Sequence, residues 1–165
     1  MLILGIDPGT TTTGFGIIGW DGKKHICIDY GVISTKPKIP QELKLKEIYT
    51  DLKKIINKHK PQLISIEKIY FNTNPKTVIS VSQARGICLL AAARKNINIV
   101  EFTPLQVKSA ICGYGRAEKK QVIYMVRNLL KLQEDPKPDD AADALAIAIC
   151  ASTQVDYNKQ LTNNR

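Results

Sequence analysis

The sequence predicts one α/β domain built on a mixed five-stranded sheet with helices on both faces, and three observations lead there. Three strand-like runs follow one another before residue 35, helical and strand-like patterns then alternate, and the last long apolar stretch has no polar face. A meander of strands makes antiparallel neighbours, whereas strand–helix–strand units add parallel ones, so together they give a single mixed sheet. A helix that is apolar all round belongs in the interior. At 165 residues the chain fits one ordinary domain. Residues 1–155 form it, and 156–165 are expected to be a flexible C-terminal tail.

The elements follow in order. Leu2 to Asp7 reads as a strand, and a threonine-rich bend leads to a second strand from Gly14 to Trp20. Asp21-Gly22 is a hairpin signal, and His25 to Ser34 makes the third strand. After the connector Lys36-Pro37-Lys38-Ile39-Pro40, residues Leu45, Ile48, Leu52, Ile55 and Ile56 recur at helical spacing as far as His59. The lysines between them form a solvated face. Pro61 stops that helix, and Leu63 to Glu67 is a continuous apolar strand of the kind buried on both faces.

Asn72-Thr73-Asn74-Pro75 opens a helix with Val78, Val81, Ala84, Cys88 and Ala91 on one stripe. Its small residues suit close packing, and they make it the candidate dimer interface. Ile97 to Phe102 is the fifth strand, Thr103-Pro104 starts a helix that Gly113-Tyr114-Gly115 breaks, and another helix spans about Glu118 to Leu132. Asp135-Pro136-Lys137-Pro138 then leads into the final helix.

A net charge of +9 and a pI near 9.4 point first to a polyanionic partner such as nucleic acid. Cys27, Cys88, Cys112 and Cys150 are widely spaced and lack matching histidines, which argues against a zinc site and leaves them as small apolar fillers. With no basic leader, no cleavage site and no membrane-spanning apolar stretch, the expected compartment is a reducing cytoplasm. His25 and His59 suggest no Ser/His or Cys/His arrangement.

Within this basic chain, four acids stand in apolar surroundings. Asp7 ends Leu2-Ile3-Leu4-Gly5-Ile6, Glu67 ends Leu63-Ile64-Ser65-Ile66, and Asp140 and Asp143 open the final helix. Each has an ordinary reading. Asp7 could be a turn former before Pro8-Gly9, while Asp139 and Asp140 could serve only the start of a helix. Asp143 is harder to place so, because it lies inside an apolar helix. A buried ionised carboxylate needs a partner charge or a metal, and in open α/β sheets ligands collect at the carboxyl ends of strands. Oxygen-only ligands suit Mg2+ or Mn2+, and two such ions can cut a phosphodiester. Asp7-Pro8-Gly9 with the threonines after it is also similar to the first phosphate loop of actin-like kinases, but no second such loop follows.

An ordered series of motifs resembles the RuvC-type Holliday junction resolvases. It comprises Gly5-Ile6-Asp7-Pro8-Gly9 with Gly14, Ile66-Glu67, Ser82-Gln83-Ala84-Arg85-Gly86, Gln106-Val107-Lys108, Ala117-Glu118-Lys119 and Asp140-Ala141-Ala142-Asp143-Ala144-Leu145-Ala146. The series covers the chain from Leu2 to about Ala151. The resemblance implies an RNase H-like fold, a homodimer, and paired symmetric nicks in strands of like polarity in a four-way DNA junction, in service of recombination and repair. It also implies Mg2+, two ions per subunit, and handover from a branch-migration helicase. Asp7, Glu67, Asp140 and Asp143 take the catalytic, metal-binding places, with Asp139 left as a helix cap. Lys108 and Lys119 match basic positions near the scissile strand, and Tyr70, with Phe71 beside it, matches an aromatic that acts on bases at the junction centre. Arg85, Arg116 and Lys120 are phosphate contacts on charge alone. Alternatives with the same acids are another RNase H-like nuclease acting on RNA or linear DNA, or a non-catalytic junction-binding module.

Overall fold

The structure, a computed structural model, describes residues 1–69 and 75–163, with the side chains of 75–77 and 156–163 left aside. Its elements run β1 (Leu2–Asp7), β2 (Thr12–Trp20), β3 (His25–Ser34), α1 (Gln41–His59), β4 (Leu63–Glu67), α2 (Pro75–Ala93), β5 (Asn98–Phe102), α3 (Pro104–Cys112), α4 (Lys119–Leu130) and α5 (Asp139–Asn163). The strands lie in the order β3-β2-β1-β4-β5. The first three are antiparallel, while β4 runs parallel to β1 and β5 parallel to β4. This is the mixed sheet that the sequence predicts.

Most boundaries shift by a residue or two, for local reasons. β2 begins at Thr12 rather than Gly14 because Thr12 and Thr13 pair with Ser34 and Ile33. The buried Thr13 hydroxyl donates to Gly9 O at 2.6 Å, which closes the bend. Thr103 caps α3 in a reciprocal pair with Gln106, and Glu118 stands outside α4 as its cap. The larger difference is α5, which stays helical to Asn163, through most of the segment expected to be a tail.

Two apolar layers sandwich the sheet. On one face Leu4, Ile6, Ile17, Ile64 and Ile66 pack with α1, through Ile48, Leu52 and Ile56, and with α2. On the other, Ile3, Ile18, Leu63 and Phe102 pack with α3, α4 and α5. From Ala141 to Ala151 every residue of α5 except Asp143 is buried, as an all-round apolar helix requires. No helix among the described residues is long and apolar enough to cross a membrane.

The small-residue stripe on α2 faces inward, while Ile79 and Leu90 of the same helix stay exposed. Ala84, Cys88 and Ala91 are 0–3% exposed and belong to the core with α1 and β4, so these three side chains are spent inside the domain. Small side chains permit any close approach, and here they bring α2 down onto its own domain.

Glycines seat α5 on the opposite face. A Cβ on Gly5 would lie 2.6 Å from Ala148 N, and one on Gly16 would lie 2.7 Å from Leu145 N. Gly14 is just as tight against the Asp140 backbone, and the Ser65 hydroxyl donates to Ile147 O at 3.1 Å. Backbone cannot yield as a flexible side chain does. Gly5→Ala is therefore expected to destabilise by about 3 kcal/mol, the upper range for overpacking. Gly86, in open space on α2, is the contrast, since alanine there should stabilise by about 0.5–1 kcal/mol through helix propensity. Urea midpoints of the two variants check both signs.

Candidate active site

Side-chain alternation decides where the strand-end acids point. Ile3, Gly5 and Asp7 face α5, as do Leu63, Ser65 and Glu67, whereas Leu4, Ile6, Ile64 and Ile66 face α1 and α2. β1 and β4 are adjacent, with Ile6 opposite Ile66 in register, so Asp7 and Glu67 leave the sheet side by side at the same height. The glycine seat brings the first turn of α5 onto that edge. Asp140 and Asp143, three apart and so on one helix face, are both partly buried there.

Electrostatics confirm that the four acids share one region. The Asp7 carboxyl is pushed from 3.8 to about 8, by burial first and then by the charges of Glu67, Asp143 and Asp140, against a smaller pull from Lys119. Burial and then Asp143 raise Glu67 to about 7, with Lys108 and Lys119 opposing. Asp143 is also raised, by burial first, although Lys119 bonds to it. Burial and mutual repulsion outweigh the pull of the two lysines and hold these three acids above their ordinary range.

Two lysines border the acids. Lys119, the first residue of α4, places its Nζ 3.0 Å from Asp143 Oδ2 and 3.3 Å from Asp139 Oδ2. Lys108 of α3 lines a small cavity of about 190 Å³ together with Glu67, Lys119, Asp143, Pro104 and Val107. Larger hollows exist, such as one of about 560 Å³ between Ser34 and α1. None of the four raised or clustered acids lines it.

The donor set fits a hard divalent cation, being all carboxylate and mutually repelling. Among the described residues, no group of three or more acidic, histidine or cysteine side chains is drawn tightly enough to hold an ion as it stands.

The other predicted residues distribute unevenly. Arg116 and Lys120 are exposed, flanking Lys119 on the α3–α4 connection and the first turn of α4. Arg85 lies elsewhere: its guanidinium pairs with Glu101 of β5, on the α1–α2 side of the sheet. That ion pair ties α2 to β5 and sets Arg85 apart from the lysines beside the acids. Tyr70 and Phe71 lie outside the described residues. Asp139 departs from the expected cap, since its carboxylate reaches Lys119. No spacing in the sequence signals that link, which depends on how two helices pack.

One further contact was unexpected. His25 Nε2 lies 2.7 Å from Ser152 Oγ, a Ser/His pair that separation in sequence conceals. It is not built as a nucleophile. Ser152 is 1% exposed and donates to Ile149 O at 2.6 Å, and the His25 ring stacks on Trp20 with centroids 4.2 Å apart. The pair clasps α5 to β3.

Known proteins match nearly the whole of this chain. The family described as crossover junction endodeoxyribonuclease RuvC matches residues 3–151. Proteins of that name from Desulforamulus reducens and Ruminiclostridium cellulolyticum are similar. The first is 51% identical over 150 residues, covering 91% of this chain and 92% of the relative. The second is 47% identical over 165 residues, covering 100% and 99%. Among solved structures, Thermus thermophilus RuvC in complex with a Holliday junction substrate superposes with a TM-score of 0.91 at 31% identity, covering 96% of each chain.

Proposed function

The chain belongs to the RuvC family of crossover junction endodeoxyribonucleases, and from that membership we propose how it works as a Holliday junction resolvase. The observation that carries the mechanism is the set of four acids, one from each of two adjacent strand ends and two from the helix seated across them, each partly buried in a chain of net charge +9. Positive charge outside attracts the phosphates, and negative charge inside holds the cation that acts on them.

Asp7, Glu67, Asp140 and Asp143 would hold Mg2+, with Mn2+ a substitute and two ions per subunit. When bound, such ions supply a nucleophile from water and stabilise the departing oxygen of the phosphodiester. Lys108 and Lys119, on the rim beside Glu67 and Asp143, neutralise the phosphate approaching the acids. Arg116 and Lys120 extend that positive rim along the strand. Tyr70 and Phe71 offer ring faces to bases at the junction centre. Paired symmetric nicks require two such sites related by a two-fold axis, so the working unit is a homodimer that takes its junction from a branch-migration helicase.

A substrate panel tests the reading against the other RNase H-like activities. With Mg2+, a synthetic four-way junction should be cut far faster than a linear duplex or an RNA–DNA hybrid of the same sequence. Equal rates on all three would refute the assignment.

A further inference from the structure

Asp143 has two demands on it. Its Oδ2 holds the Lys119 ammonium at 3.0 Å, and on the functional reading above the same carboxylate holds a divalent cation. A dication held by Asp143 repels an ammonium on the same carboxylate and draws on the same negative charge. Cation binding therefore loosens the hold of Asp143 on Lys119. Asp139 is the acid already within reach, with its Oδ2 3.3 Å from the same Nζ. It is also the more exposed of the two, at 62% against 33%, and it sits in the first turn of α5, where a carboxylate complements the helix's partial positive charge.

We propose that Asp139 is a positioning residue, the second anchor that keeps Lys119 at the rim of the cleft when Asp143 turns to the cation. It touches neither cation nor phosphate. Released from both acids, a four-carbon lysine stem with half its surface in solvent would spread over many rotamers, and its charge would be lost to the incoming phosphate. Held by Asp139 alone, the ammonium stays beside Glu67 and Lys108. Exchange between the two acids is possible because one ammonium carries three donors.

This inference rests on the functional reading above, so its test needs a result that reports without cleavage. Two double-mutant cycles on the full chain, Asp139→Asn with Lys119→Gln, supply it. In the first, single-turnover junction cleavage is measured at saturating Mg2+. Asp139→Asn should slow it about fivefold, the scale of an exposed ion pair, Asp139→Glu should restore it, and Asp139→Asn should change nothing further once Lys119 is Gln.

In the second cycle, Mg2+ binding to the DNA-free protein is followed by calorimetry. Asp139→Asn should weaken binding more with Lys119 present than with Gln, because the lysine then has Asp143 alone to hold. Loss of a nearby negative charge by itself would weaken both backgrounds equally. Equal weakening, or equal slowing of cleavage in both backgrounds, overturns the proposal. Failure of the unmodified chain to cut any junction would instead strike the functional reading, and the calorimetric cycle would still decide the role of Asp139.

Discussion

Replacing Asp7 by Asn is expected to abolish junction cleavage, leave junction binding intact and make the metal-free protein more stable above about pH 8. The side chain keeps its size and loses its charge, so packing against α5 is preserved. On the proposed mechanism, catalysis fails because a direct ligand is gone. Removing a residue that merely supports a ligand costs about 10- to 100-fold, and the loss here should exceed that. Stability moves the other way, since Asp7 is a partly buried acid crowded by Glu67, Asp143 and Asp140. Asn removes that repulsion where the carboxyl is ionised, so the gain is read above about pH 8. Gel-shift titration, single-turnover cleavage and thermal melting in EDTA read the three effects. Retained cleavage, or a destabilised Asn variant, would contradict the role given to Asp7.

The second large effect couples stability to pH and metal. Asp7 and Glu67 have folded values of about 8 and 7 against ordinary values of 3.8 and 4.5. Between those limits the folded state binds more protons than the unfolded one, so stability falls as pH rises. The contribution is fully present below about pH 4 and is lost as pH climbs through 7 to 8. In EDTA the melting temperature should therefore drop between about pH 5 and about pH 9, apart from other groups, and the Asp7→Asn variant should show a shallower fall. Mg2+ binds only the ionised acids, so it should raise the melting temperature more at about pH 8.5 than at about pH 6. A metal-induced shift independent of pH would mean that these carboxylates are not the ligands.

Both effects depend on residues that stand out in the amino-acid sequence itself. Asp7 and Glu67 end apolar runs, and the alternation within those runs sets their facing. The burial of α5 follows from its lack of any polar side, which in turn makes Asp143 conspicuous. What is hidden in the sequence depends on helices meeting. Lys119 and Asp139 are neighbours only because α4 and α5 pack together. Arg85 finds Glu101 across the α2–β5 contact, a partner that its charge alone does not reveal. The Ala84, Cys88 and Ala91 stripe is ambiguous for a different reason: small residues serve a subunit seam and an intradomain contact equally well. The seats at Gly5, Gly14 and Gly16 are similarly invisible, since a glycine in a strand does not announce which backbone will lie against it.

The central claim is that the four acids form a divalent-metal site that cuts a four-way junction symmetrically. Mapping the nicks on a labelled synthetic junction, with Mg2+ and with EDTA, tests it most directly. The expected result is one nick in each of two strands of like polarity, at symmetric positions, seen only with the metal. Cleavage that persists in EDTA, or nicks scattered without symmetry about the junction, would contradict it.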